Sequence, residues 1–122
     1  MLMKKTGYPI DYDQLCRQTV TVYHRDGDVI SRTVCDRAYL DFRKNRNVDK
    51  TGSRESNSFL LVIPGETQAV RLDDKVIAGV GPVVDADGWA QFIPSKVPGL
   101  VVVKYVDPKY WGNVMVHTEA GG

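Results

Sequence analysis

The chain has 122 residues, 43% of them hydrophobic and 25% charged, with a net charge of +1. That length holds one domain with its own hydrophobic core, spanning residues 1–122. The near-neutral balance excludes a protein-wide field for nucleic acid, no apolar run reaches the roughly 18 residues of a membrane span, and no apolar segment follows Lys4 and Lys5 as a secretory signal requires.

Near the N-terminus only residues 12–17 read as helical, with Asp11 and Gln14 at capping-box spacing. From there the chain reads as β. Residues 18–24 (QTVTVYH) alternate Val20 and Val22 against Thr19, Thr21 and Tyr23, the pattern of a half-buried strand. The turn Arg25-Asp26-Gly27-Asp28 follows, where Gly tolerates positive φ, and residues 29–35 form the return strand. Residues 37–43 (RAYLDFR) set Ala38, Leu40 and Phe42 on one face and Tyr39 and Asp41 on the other.

The next stretch, residues 43–56 (RKNRNVDKTGSRES), contains five cations, Arg43, Lys44, Arg46, Lys50 and Arg54, against Asp49 and Glu55. Its net charge of about +3 leaves about −2 on the rest of a chain of net +1. We read a long flexible loop over about residues 43–57. Structureless loops beyond about 12 residues are usually functional or disordered. Its cations suit phosphates or an acidic partner surface, and it lacks the aromatics on which single-strand binders stack bases. A solvated, functionless loop is the competing reading.

Residues 58–63 (SFLLVI) are nearly all apolar, which places them centrally with both faces covered, and Pro64-Gly65 ends the run. Residues 68–72 are a short strand candidate, and Asp73-Asp74 turns the chain into a strand at 75–78. Gly79, Gly81 and Pro82 break it. Residues 87–93 fit either a short strand or one helical turn capped by Asp87. Residues 100–107 (LVVVKYVD) are the most β-prone run. Residues 108–113 then form a turn before a last strand at 114–118, and a short Gly-ended tail at 117–122 reads as a frayed terminus. About seven short antiparallel strands, one short helix and one long basic loop define an all-β fold, a small barrel or a sandwich.

No catalytic constellation emerges. The chain lacks a phosphate-binding Gly-rich loop, zinc-ligand spacing and a nucleophile elbow, so we expect no enzyme activity, no metal and no cofactor. His24 and His117 read as strand residues at a sheet margin. Asp73, Asp74, Asp85 and Asp87 sit beside glycines, where turn chemistry explains them better than a cation site. Cys16 and Cys35 read as reduced thiols, with a bridge between them the lesser alternative. Tyr105, Tyr110 and Trp111 form an aromatic group that suits an interface and equally suits closure of a barrel end.

Two stretches carry a family resemblance. Residues 93–113 (IPSKVPGLVVVKYVDPKYWGN), followed by VHTEAGG, resemble the C-terminal half of minor capsid or head–tail connector proteins of tailed phages. Residues 41–65 (DFRKNRNVDKTGSRESNSFLLVIPG) resemble the same family's middle, and the likeness runs from about Thr19 onward. Trp111-Gly112-Asn113 departs from it, standing where the family has a longer, basic turn. The resemblance implies a barrel-like, non-enzymatic virion protein at the portal vertex, made in the host cytoplasm. Its implied partners are a portal or adaptor protein, a tail or tail-terminator protein, and copies of itself in a ring. Packaged DNA, met through the basic loop, is our own extension of that reading. A decoration role on the capsid and a non-viral nucleic-acid-binding barrel are the alternatives.

Overall fold

The computed structural model describes the backbone of residues 10–49 and 52–122 and the side chains outside 43–57. Strand β1 (Gln18–Asp26) turns through Gly27, at φ 62°, into β2 (Val29–Asp49), with Asp26 opposite Val29. The positive φ is why glycine stands in that turn. Strand β2 pairs with β3 (Gly52–Pro64), and β3 with β7 (Val114–Gly121). Strand β6 (Tyr105–Trp111) lies outside β7. On the other side, β4 (Lys75–Ala78) pairs with β1, and the two-residue β5 (Val101–Val102) pairs with β4.

The sheet order is therefore β5-β4-β1-β2-β3-β7-β6, antiparallel at every rung. The sheet curls into a half-barrel, and the segment between β5 and β6 bridges its two ends. Asp73 N–H donates to the Val103 carbonyl at 2.9 Å, Val103 N–H donates to Asp74 at 2.8 Å, and Lys104 N–H donates to Gly121 at 2.7 Å. This all-β architecture of seven strands with one short helix is what the strand and turn signals predict.

Alternation sets the core. Val20, Val22, Ala38, Leu40, Phe59, Leu61, Ile63, Val70, Val76, Val103 and Ala120 fill the concave side. The opposite face is covered twice. Helix α1 (Tyr12–Leu15) lays Tyr12 and Cys16 on Val62 and Val116, and the segment after β4 packs Phe92 and Leu100 on Tyr23. Hence β3 is covered on both sides, as its unbroken apolar run predicts. Thr21 and Tyr23 are fully buried too, so β1 is not half-buried. Its outward residues carry the second cover.

Several expectations change. The two strands anticipated at 29–35 and 37–43 are one strand, with a register shift where β2 gains a residue on β1. Residues 68–72 are irregular: Ala69 N–H bonds to the Thr118 side-chain Oγ1 of β7 and not to a backbone carbonyl of a strand ladder. Asp85, not Asp87, accepts from Gly88 N–H before the 3₁₀ turn Trp89–Gln91. In α1 the Asp11 carboxylate accepts from Asp13 N–H at 3.1 Å. The run at 100–107 divides into β5 and β6 as it passes from one end of the sheet to the other. Pro108 to Trp111 belong to β6, since a proline is tolerated on an edge strand, and the turn shrinks to Gly112 and Asn113. The expected frayed tail is the end of β7, paired with β3 on one side and β6 on the other.

Candidate functional site

The polar stretch anticipated as a loop is mostly strand. Seven pairs, from Arg43↔Ser58 to Asp49↔Gly52, continue the β2–β3 ladder beyond the barrel. A ladder satisfies backbone N–H and C=O groups that an irregular loop would leave to water. Pairing of β2 with β1 stops at Ala38, and pairing of β3 with β7 starts at Leu60. Residues 43–49 and 52–58 thus have only each other as ladder partners among the described residues. Seven pairs at about 3.3 Å each extend about 20 Å. Arg43, Lys44, Arg46 and Arg54 sit on this two-stranded ribbon, with Arg46 registered opposite Glu55. Their side chains, and Lys50 altogether, lie outside the described residues.

The aromatic group is divided. Tyr110 and Trp111 stand 59% and 46% exposed at the β6–β7 tip, beside Val114 at 52%. Tyr105 lies at the opposite end of β6, where its ring packs over Gly121, so it shares no surface with the other two. Tyr105 therefore serves the bridged end of the barrel, and Tyr110 and Trp111 remain as interface candidates.

The titratable groups form internal supports. His117 is buried, not marginal: it faces Pro64 on β3 and Lys109 on β6, and its Nδ1 meets the Tyr12 hydroxyl of α1. Burial holds its imidazole below the ordinary value, with Lys109 acting the same way and Glu119 and Asp107 opposing. His24 Nδ1 lies 2.5 Å from Asp74 Oδ1, Asp74 Oδ2 accepts from Arg71 N–H at 2.9 Å, and Arg71 Nη1 lies 3.0 Å from His24 Nε2. This closed network fixes the turn whose backbone bonds to Val103. Asp73 and Asp74 thus do turn work, Asp73 at φ 69°.

Lys75 is buried, and its Nζ donates to the Trp89 and Phe92 carbonyls at 2.9 and 2.7 Å while lying 4.0 Å over the Trp89 ring. Burial lowers its pKa, and the charge on Arg25 adds to this. Cys16 and Cys35 are free thiols. Burial pushes Cys16 up to about 11 against the pull of Arg37, and it raises Cys35 with Asp36 assisting. Both therefore remain protonated at neutral pH.

Among the described residues no three His, Cys, Asp or Glu side chains gather as a metal site, and no helix is long and apolar enough to cross a membrane. Sequence reasoning put Phe42 on one face with Ala38 and Leu40 but did not separate it from them: those two are buried, and Phe42 is 47% exposed at the foot of the ribbon. Its place as the last apolar residue before the cationic run was the available signal. The chain matches no protein-family model, no curated protein and no solved structure.

Proposed function

We propose that this chain is a structural protein of a tailed-phage virion, a head–tail connector that docks on the portal ring and joins the DNA-filled head to the tail. The observation that carries this reading is the cationic ribbon, whose two strands pair, among the described residues, only with each other. An isolated two-stranded ribbon is marginally stable in water, so its lasting contacts belong to another molecule. Four cations, Arg43, Lys44, Arg46 and Arg54, along a ribbon of about 20 Å fit a polyanionic surface, either acidic protein or DNA phosphates. The resemblance of residues 41–65 and 93–113 to connector proteins is what favours the portal vertex in this reading.

In this mechanism the barrel supplies a rigid base, and individually weak contacts add up because a ring meets a matching ring. The chain would be made in the host cytoplasm and end in the virion neck, between portal or adaptor and tail protein. A second reading has its own support, since the major groove of DNA admits a two-stranded β-ribbon. In that reading the isolated monomer binds nucleic acid, without any virion.

Co-sedimentation with purified portal rings separates the two. The connector reading predicts that the chain pellets with portal and that Arg43→Glu/Lys44→Glu/Arg46→Glu weakens this. Absence of portal binding, together with DNA binding whose log–log salt slope falls by about 3 in that triple variant, would establish the second reading. Binding to capsid shells but not to portal would place the chain as a decoration protein.

A further inference from the structure

Strand β2 changes neighbours along its length. Residues 39–49 pair with β3, whereas residues 29–35 pair, among the described residues, only with β1. The other side of residues 29–35 is an open edge about 23 Å long. The ladder decides which backbone groups point out of it. Gly79 N–H donates to the Thr19 carbonyl at 2.7 Å, so Thr19, Thr21 and Tyr23 turn their backbone groups toward β4. Val20, Val22 and His24 therefore turn theirs toward β2, where they meet Cys35, Thr33 and Ser31. Ile30, Arg32 and Val34 alternate with these and direct their N–H and C=O groups outward, and no described residue bonds to those groups.

The terminal strands of the sheet have guarded edges. Strand β5 has two residues, and β6 carries Pro108 in mid-strand and an irregular step after Lys109. Residues 29–35 (VISRTVC) contain neither proline nor lysine and are rich in β-branched side chains. Their one charge, Arg32, is folded back onto the loop after β4, with Nε and Nη2 donating to the Gly81 carbonyl at 3.1 and 2.5 Å. Beside that anchor the same loop leaves Val80 and Val83 71% and 84% exposed.

We propose that residues 29–35 are a docking edge, to which an extended segment of another protein adds as a further strand. Only an extended backbone supplies donors and acceptors at the spacing of Ile30, Arg32 and Val34. The side chains define the segment's chemistry. Ile30 packs toward Tyr23, Phe92 and Leu100, and Val34 lies on the same face of the strand. Every second residue of the incoming strand is therefore apolar and β-branched. Ser31 and Thr33 lie on the other face, where threonine or serine matches them. A second copy is the poorer guest, because its own edge would set Arg32 among the apolar positions. The edge belongs to the barrel, and the proposal does not rest on the connector reading.

Hydrogen exchange followed by NMR on the purified chain tests it, with a short blocked peptide of alternating threonine and valine between terminal lysines as the probe. In the free chain the amides of Ser31, Thr33 and Cys35 are protected, and those of Ile30, Arg32 and Val34 exchange freely. The peptide slows the latter three, by about tenfold at about nine times its Kd. N-methylation at peptide positions of one parity abolishes this effect, and at the other parity leaves it intact, since only alternate N–H groups face the edge. Val34→Pro removes an outward donor without breaking a rung to β1, so it weakens peptide binding about tenfold while thermal unfolding stays close to the parent's. If that variant fails to fold, the N-methylated peptides decide alone. Protection of Ile30, Arg32 and Val34 in the free dilute chain, no added protection from the peptide, or indifference to the parity of N-methylation would overturn the proposal. So would protection that grows with the concentration of the chain alone, the mark of a second copy on the edge.

Discussion

Replacing Gly121 by alanine adds a methyl group at the place where the two ends of the barrel meet. A Cβ there would lie 2.5 Å from Tyr105 Cε2, 2.8 Å from Tyr105 Cζ and 2.7 Å from the Phe59 carbonyl oxygen. The tyrosine ring can swing aside. The Phe59 oxygen cannot, because it belongs to β3, whose Leu60 is registered opposite Gly121. The neighbouring bond from Lys104 N–H to the Gly121 carbonyl, at 2.7 Å, is strained by the same shift. Overpacking of this kind costs about 1–3 kcal/mol, which for a domain of this size lowers Tm by about 4–12 °C. Thermal unfolding of Gly121→Ala, Tyr105→Ala and the double variant resolves the two contacts as a double-mutant cycle. The geometry predicts that Tyr105→Ala relieves only part of the Gly121→Ala loss. A Gly121→Ala variant as stable as the parent would refute the seam and restore a frayed tail.

Two further perturbations probe the buried polar groups. Lys75→Met keeps the aliphatic stem but removes the donor to the Trp89 and Phe92 carbonyls; urea unfolding should show a loss of about 2–3 kcal/mol, and an unchanged midpoint would contradict that role. For His117, the native state holds the imidazole below 6.5, so the unfolded chain takes up the proton first as pH falls. The stability contribution is fully present above pH 6.5 and is lost as pH drops from there toward the lowered native value. The urea-midpoint difference between parent and His117→Gln should therefore shrink from pH 7.5 to pH 5, and a constant difference would show that His117 does not titrate differently on folding.

The parts of the fold legible in the sequence are those where one face is buried. Val20/Val22, Ala38/Leu40 and Phe59/Leu61/Ile63 alternate because the pleat sends every second side chain inward. Gly27 marks its hairpin through the positive φ that the turn requires. The ribbon was not legible, because its residues are almost all polar and carry no apolar alternation to betray a strand. Polar composition alone reads as a loop. The end of β7 was hidden for a related reason: Glu119 and Gly121 resemble a tail, and their order comes from flanking strands distant in sequence. Likewise Tyr12 and His117 meet across 105 positions, a tertiary contact that no local pattern announces. Of the candidate site, the cationic run and the Tyr110-Trp111 pair were visible as composition.

Cryo-electron microscopy of the assembled particle's portal vertex tests the central claim most directly. The connector role requires density for this barrel as a ring between portal and tail, with the ribbon turned toward the channel or the portal surface. Barrels scattered over the capsid shell, or a particle that lacks the chain, would contradict it.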